Sequence, residues 1–129
     1  MVNSTVLLDL VPKLVKEKDN INLTKRITLE ELKEVVDDME DDKAPGSDGF
    51  NANFIKICSE IIHKDLLKMV VKSQQSEKIG GSTNSTFLAL IPKEKYAVSF
   101  DRFRPISLCN IGYKIITKIM AKRLKDIIP

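Results

Sequence analysis

The chain has 129 residues, 43% of them apolar and 30% charged, with 5 Gly, 5 Pro, 2 Cys, a single His and no Trp. That length is one domain's worth, and the balance of apolar to charged residues excludes wholesale disorder and collagen-like order. No apolar run approaches the roughly 20 residues that a bilayer span needs, so no membrane partner is expected. The opening apolar stretch is interrupted by Asp9 and closed by Pro12 and Lys13. Without a basic start or a small-residue cleavage site it does not read as a secretory signal. Cys58 and Cys109 sit among isoleucines or leucines with no second Cys nearby, which predicts buried, reduced thiols and an intracellular setting. With one histidine, a His-based metal site or triad is hard to build.

Net charge is +3, unevenly spread. Residues 91–129 hold nine Lys or Arg against three acids, a net of +6, so the first 90 residues sum to −3. Such asymmetry points to a polyanion partner for the C-terminal third, although lysine-rich helix faces are commonly just solvated surface.

The elements predicted along the chain make an α+β protein, mainly helical, with helices around an antiparallel β-hairpin. Thr28 with Glu31 has capping-box spacing, and Ile27 with Leu32 can form a hydrophobic staple. Leu29, Leu32, Val35, Val36 and Met39 then make one apolar stripe, predicting a helix over 28–42 that Ala44-Pro45-Gly46 stops. A second helical region over 53–73 buries Phe54, Cys58, Ile61, Ile62, Leu66, Met69 and Val70, and divides, if at all, within residues 59–65. Ser, Gln and Gly residues over 73–85 mark a loop. Thr86-Phe87-Leu88-Ala89-Leu90-Ile91 reads as a buried strand ended by Pro92. Phe103-Arg104-Pro105-Ile106-Ser107-Leu108 reads as its antiparallel return, since Pro105 forbids helix there. Proline at the margins implies an edge or exposed pair. A final amphipathic helix over 111–127 gathers Lys114, Lys118, Lys122 and Lys125 on one side. Ile115, Ile116, Ile119, Met120, Leu124 and Ile127 fill the other.

Several groupings invite chemistry and are better read as structure. Asp37, Asp38, Glu40, Asp41 and Asp42 point around a helix end without metal-loop spacing. Gly46-Ser47-Asp48-Gly49 lacks the Gly-Lys-Ser/Thr ending of a phosphate loop. It reads as a turn in which both glycines permit positive φ and Asp48 bonds its own backbone. His63 and Ser59 lack a third orienting group. The hairpin is more suggestive. Lys93 and Arg104 on one rigid hairpin suit phosphate oxygens, with Tyr96, Phe100 and Phe103 as flat surface nearby. A basic hairpin with ordinary packing aromatics remains the alternative.

Four stretches occur in order: Lys43-Ala44-Pro45-Gly46-Ser47-Asp48-Gly49-Phe50, then Leu90-Ile91-Pro92-Lys93, then Phe103-Arg104-Pro105-Ile106-Ser107-Leu108-Cys109-Asn110, then Tyr113-Lys114-Ile115-Ile116-Thr117-Lys118-Ile119-Met120-Ala121-Lys122-Arg123-Leu124. Together with the lead-in Leu7-Leu8-Asp9-Leu10-Val11-Pro12 and the capped helix after Ile27, this pattern resembles the N-terminal part of the reverse transcriptase domain of non-LTR (LINE-type) retrotransposons, especially those common in plant genomes. The resemblance covers nearly the whole chain.

It implies a lead-in over 1–26 and, over 27–129, part of the fingers subdomain of a right-hand polymerase, with palm and thumb absent. It further implies that Arg104 contacts a deoxynucleoside triphosphate, with Lys93 as its partner. Lys114, Lys118 and Lys122 would lie toward an RNA/DNA template–primer. Ser47 stands where proline is commonest, and the loop over 73–83 is short. Nucleus or cytoplasm is the implied location. The family's polymerases use Mg²⁺ held by palm aspartates, including a Tyr-x-Asp-Asp pair absent from this sequence. The expectation is therefore a truncated RNA-directed DNA polymerase with no metal, cofactor or catalytic residue of its own, inactive alone. A retained non-catalytic nucleic-acid-binding module and an inert fragment are the other two readings.

Overall fold

A computed structural model describes residues 10–128, which form two compact units. The larger, Arg26–Ile119, contains α2 (Leu29–Asp37), α3 (Ala52–Ile57), α4 (Ser59–Ser76), a hairpin of β1 (Thr86–Pro92) and β2 (Phe103–Cys109), and the first part of α5 (Ile111–Lys125). The smaller is built from residues 10–25, including α1 (Glu17–Thr24), and from 120–128, which hold the end of α5. The class is α+β and mainly helical, as the periodicities predict. Most of the opening stretch read above, residues 1–9, lies outside the described residues, as does Pro129.

In the larger unit, α2 starts where its cap dictates: the Thr28 side chain accepts the Glu31 N–H at 3.3 Å. Leu32, Val35 and Val36 are buried, with Leu29 and Met39 packed against them. The helix ends at Asp37 rather than running to 42. Carboxylates crowd its negative pole, and two cations from elsewhere take the carbonyls just past its end. Lys118 Nζ donates to Asp38 O at 2.6 Å and Lys56 Nζ to Met39 O at 2.7 Å. The second helical region divides at Cys58, one residue before the expected stretch, giving a short α3 capped by Asn51 and a long α4. Phe54 and Ile61, expected inside, face outward; Ile55 and Val71 take inward places beside Val70. The core is completed by Ile111, Ile115, Ile116 and Ile119 from α5, with Ile27 and Ala52.

The hairpin is antiparallel, with Thr86 opposite Cys109, Ala89 opposite Ile106 and Ile91 opposite Arg104. Its burial contradicts the expectation of a buried strand. Apart from half-buried Ala89, every residue of β1 is exposed, with Leu88 at 65% and Phe87 at 57%. A two-stranded ribbon has no neighbouring strand, and its apolar residues outnumber those that the helices cover. The exposed pair implied by the proline margins is what forms. Neither thiol is fully buried: Cys58 and Cys109 are both free and half-buried.

In the smaller unit, α1 has no apolar stripe and buries nothing, so periodicity gave no sign of it. Its start is held by the Lys16 N–H bonded to the Asp19 carboxylate at 2.9 Å. Arg123 on α5 donates to Leu23 O at 2.9 Å and Lys25 O at 2.8 Å, satisfying carbonyls at the end of α1. Met120 and Leu124, expected on the apolar half of the last helix, are exposed. No helix of the described residues is long and apolar enough to cross a membrane.

Candidate functional site

Arg104 lies in β2, exposed, and its guanidinium has no hydrogen bond or ion pair to any described residue. Pro105 explains part of that position. It holds Arg104 extended, so the side chain stands off the ribbon instead of turning into a helix. Antiparallel register sets Arg104 on the same face as Ile91, with Ala89 and Ile106 next along that face. Lys93 follows β1 by one residue, where its N–H closes the loop onto Arg102 O at 2.8 Å. Its ammonium folds back on the loop and donates to Asp101 O at 2.8 Å. Both cations thus sit toward the loop end of the hairpin, one unengaged and one holding the loop. The loop is further knit by Arg102 against Glu94 at 3.3 Å and by the Ser99 hydroxyl donating to Asp101. Tyr96 and Phe100 are both exposed there, the latter at 88%.

The lysines of α5 divide. Lys114 and Lys118 line an open groove of about 320 Å³ with Lys43, Glu40, Asn51 and Thr117. Each already serves the fold: Lys114 Nζ donates to Ala44 O at 2.9 Å, and Lys118 Nζ to Asp38 O. An ammonium has three donors, so two remain on each for an anion in the groove. Lys122 belongs to the smaller unit.

A junction that the sequence reading missed ties the hairpin down. Asn110, between β2 and α5, is the one buried polar side chain among the described residues, at 5% exposure. Its Oδ1 accepts from Ser47 Oγ at 2.9 Å and from the Asp48 N–H at 3.0 Å. Its Nδ2 donates to Ser82 O at 2.7 Å. Asp48 in turn accepts the Phe50 N–H at 3.1 Å, the self-bonding turn expected, and the Ile111 N–H at 3.0 Å. It therefore caps α5 from 63 residues away in sequence. Gly49 has the expected positive φ, at 75°. Gly46 does not; a Cβ there would lie 2.5 Å from the Cys109 carbonyl carbon, so glycine is needed for close approach instead. The available signal was a lone Asn between an apolar strand and a helix.

The remaining groupings stay structural. His63 Nδ1 bonds the Ser59 carbonyl at 2.6 Å, one turn back, and does not activate the hydroxyl. Among the acids, Asp41 pairs with Lys56 at 2.6 Å and Glu40 with Lys43 at 3.5 Å. Among the described residues no three His, Cys, Asp or Glu side chains are grouped to hold a metal, so they do not fit a Mg²⁺ pair.

No protein family's sequence profile matches the chain. It is 28% identical over 114 residues to the Transposon TX1 uncharacterized 149 kDa protein of Xenopus laevis. That match covers 88% of the chain. The similarity is to a transposon protein. The chain spans 9% of that relative's length.

Proposed function

We propose that this chain is a transposon-derived fingers element of a LINE-type reverse transcriptase, contacting nucleotide and template without the catalytic carboxylates. Arg104 carries the reading: an exposed, unengaged guanidinium on a ribbon anchored at its other end. Such a group can bind two phosphate oxygens in parallel, at no cost in broken internal pairs. Apolar residues along both faces of the ribbon supply surface against which a base or sugar can lie. Lys114 and Lys118, with spare donors in their groove, suit a nucleic-acid backbone nearby. The wording of the four motifs supports the LINE assignment and its plant branch, and the likeness to a transposon protein agrees at the coarser level. Mg²⁺ in an intact polymerase would activate the primer hydroxyl, and the described residues hold no cluster of carboxylates to bind it.

Binding of dTTP, followed by ligand-detected NMR, tests the assignment. Wild-type chain is expected to bind, and Arg104→Ala to weaken binding about tenfold or more, the scale of one charge-assisted pair. Equal binding by the two proteins would remove Arg104 from the site. Primer extension on poly(rA)/oligo(dT) with Mg²⁺ is expected to stay at the level of the Arg104 variant. Extension above it would contradict the non-catalytic reading.

A further inference from the structure

Nothing about a two-stranded ribbon exposed on both faces fixes the direction in which it points. That direction must be set at the base, and the base converges on one side chain. Ser82 lies four residues ahead of β1 and Asn110 follows β2 directly. The Asn110 amide spans them, donating to Ser82 O while accepting from Ser47 and Asp48 in the loop between α2 and α3. Its backbone carbonyl accepts the Lys114 N–H at 3.1 Å, continuing into the helix that Asp48 caps. Gly46 closes against the backbone of Cys109 and Asn110 more tightly than any other residue would allow. Thr83 adds a contact of 4.0 Å to the sulfur of Met69 on α4.

We propose that Asn110, supported by Asp48, is a positioning residue that clamps both roots of the hairpin and thereby aims Arg104. The aiming rests on the nucleotide-contacting reading of that hairpin; the clamp does not. Leverage gives the clamp its importance. Arg104 is six residues from Asn110, roughly 20 Å along an extended strand, so a tilt of about 10° at the base moves it by roughly 3 Å. Displacements of that size abolish the alignment a bidentate phosphate contact needs. The residue type also fits the task. Two bonds accepted and one donated are required at one buried point, and among small side chains an amide can both accept and donate. Aspartate would keep the bonds to Ser47 and Asp48 but turn an oxygen toward Ser82 O, releasing the first root alone.

Asn110→Asp in the full chain, with the milder Ser47→Ala beside it, separates a clamp from a general stabiliser. Hydrogen exchange read by mass spectrometry is expected to rise about tenfold or more over residues 86–92 and 103–109 in Asn110→Asp, with α2 and α4 unchanged. Affinity for dTTP is expected to fall about tenfold. Ser47→Ala should shift the same peptides less, and it carries the test should Asn110→Asp fail to fold. Unchanged hairpin exchange, or an equal rise through α2 and α4, would overturn the proposal. Loosened hairpin peptides with undiminished dTTP affinity would overturn the aiming. If wild-type chain bound no dTTP, the nucleotide reading would fall, and the exchange pattern alone would decide the clamp.

Discussion

Two glycines three positions apart in one motif, Gly46 and Gly49, show how residue identity is fixed at the smallest scale. Gly49 is glycine because its φ of 75° strains any side chain, a cost of about 1–2 kcal/mol for alanine. Gly46 is glycine because two backbones meet there, with 2.6 Å from a would-be Cβ to the Asn110 nitrogen. Backbone cannot swing aside as a side-chain tip can. Gly46→Ala is therefore expected to cost about 3 kcal/mol, the upper part of the usual overpacking range, read as a lower urea midpoint. Loss of stability no greater than at Gly81, where a Cβ meets open space, would contradict the tight junction. Sequence reading had both positions as a turn and had Asp48 bonding locally, which it does. It had no means to see the bond to Ile111 or the approach to Cys109, because those partners are brought together only by the fold.

At the scale of elements, local signals identified the hairpin and every helix of the larger unit, though not α1, and tertiary contacts moved their ends. Thr28 starts a helix by a bond to a residue three positions on and was read as its cap; Asn51 does the same for α3 and was passed over. The end of α2 is not, because Lys56 and Lys118 reach it from α3 and α5. Lys56 is the more enclosed member of its ion pair, its side chain 24% exposed beside Asp41 at 50%. Lys56→Met is expected to destabilise by about 1–2 kcal/mol, since it leaves the Met39 carbonyl without its charged donor. Arg104→Ala, which breaks no internal bond, should leave thermal stability within about 0.5 kcal/mol of wild type. Calorimetry on the two variants checks this contrast; a large loss for Arg104→Ala would mean that the arginine serves the fold. The hairpin's exposure was misread for a related reason. Its apolar composition says that surface is available to bury, and only packing says whether anything buries it.

On the scale of the molecule, the buried cluster lies wholly within the larger unit, Arg26–Ile119, while α1 in the smaller unit buries nothing. Exchange protection is expected to be highest in α2, in α4 around Val70, and in α5 from Ile115 to Ile119, and to be least in α1 and the loop over 93–102. Rapid exchange throughout would favour an inert fragment over a folded one. Charge follows a different division from burial: the basic third supplies Lys93, Arg104, Lys114 and Lys118, and the first two sit on the ribbon while the last two line a groove. The most direct test of the account is a salt titration of dTTP binding by ligand-detected NMR, wild type against Arg104→Ala. Affinity should fall as salt rises, from a weaker start and less steeply for the variant. Binding that ignored salt, or identical curves for both proteins, would contradict a phosphate-contacting hairpin.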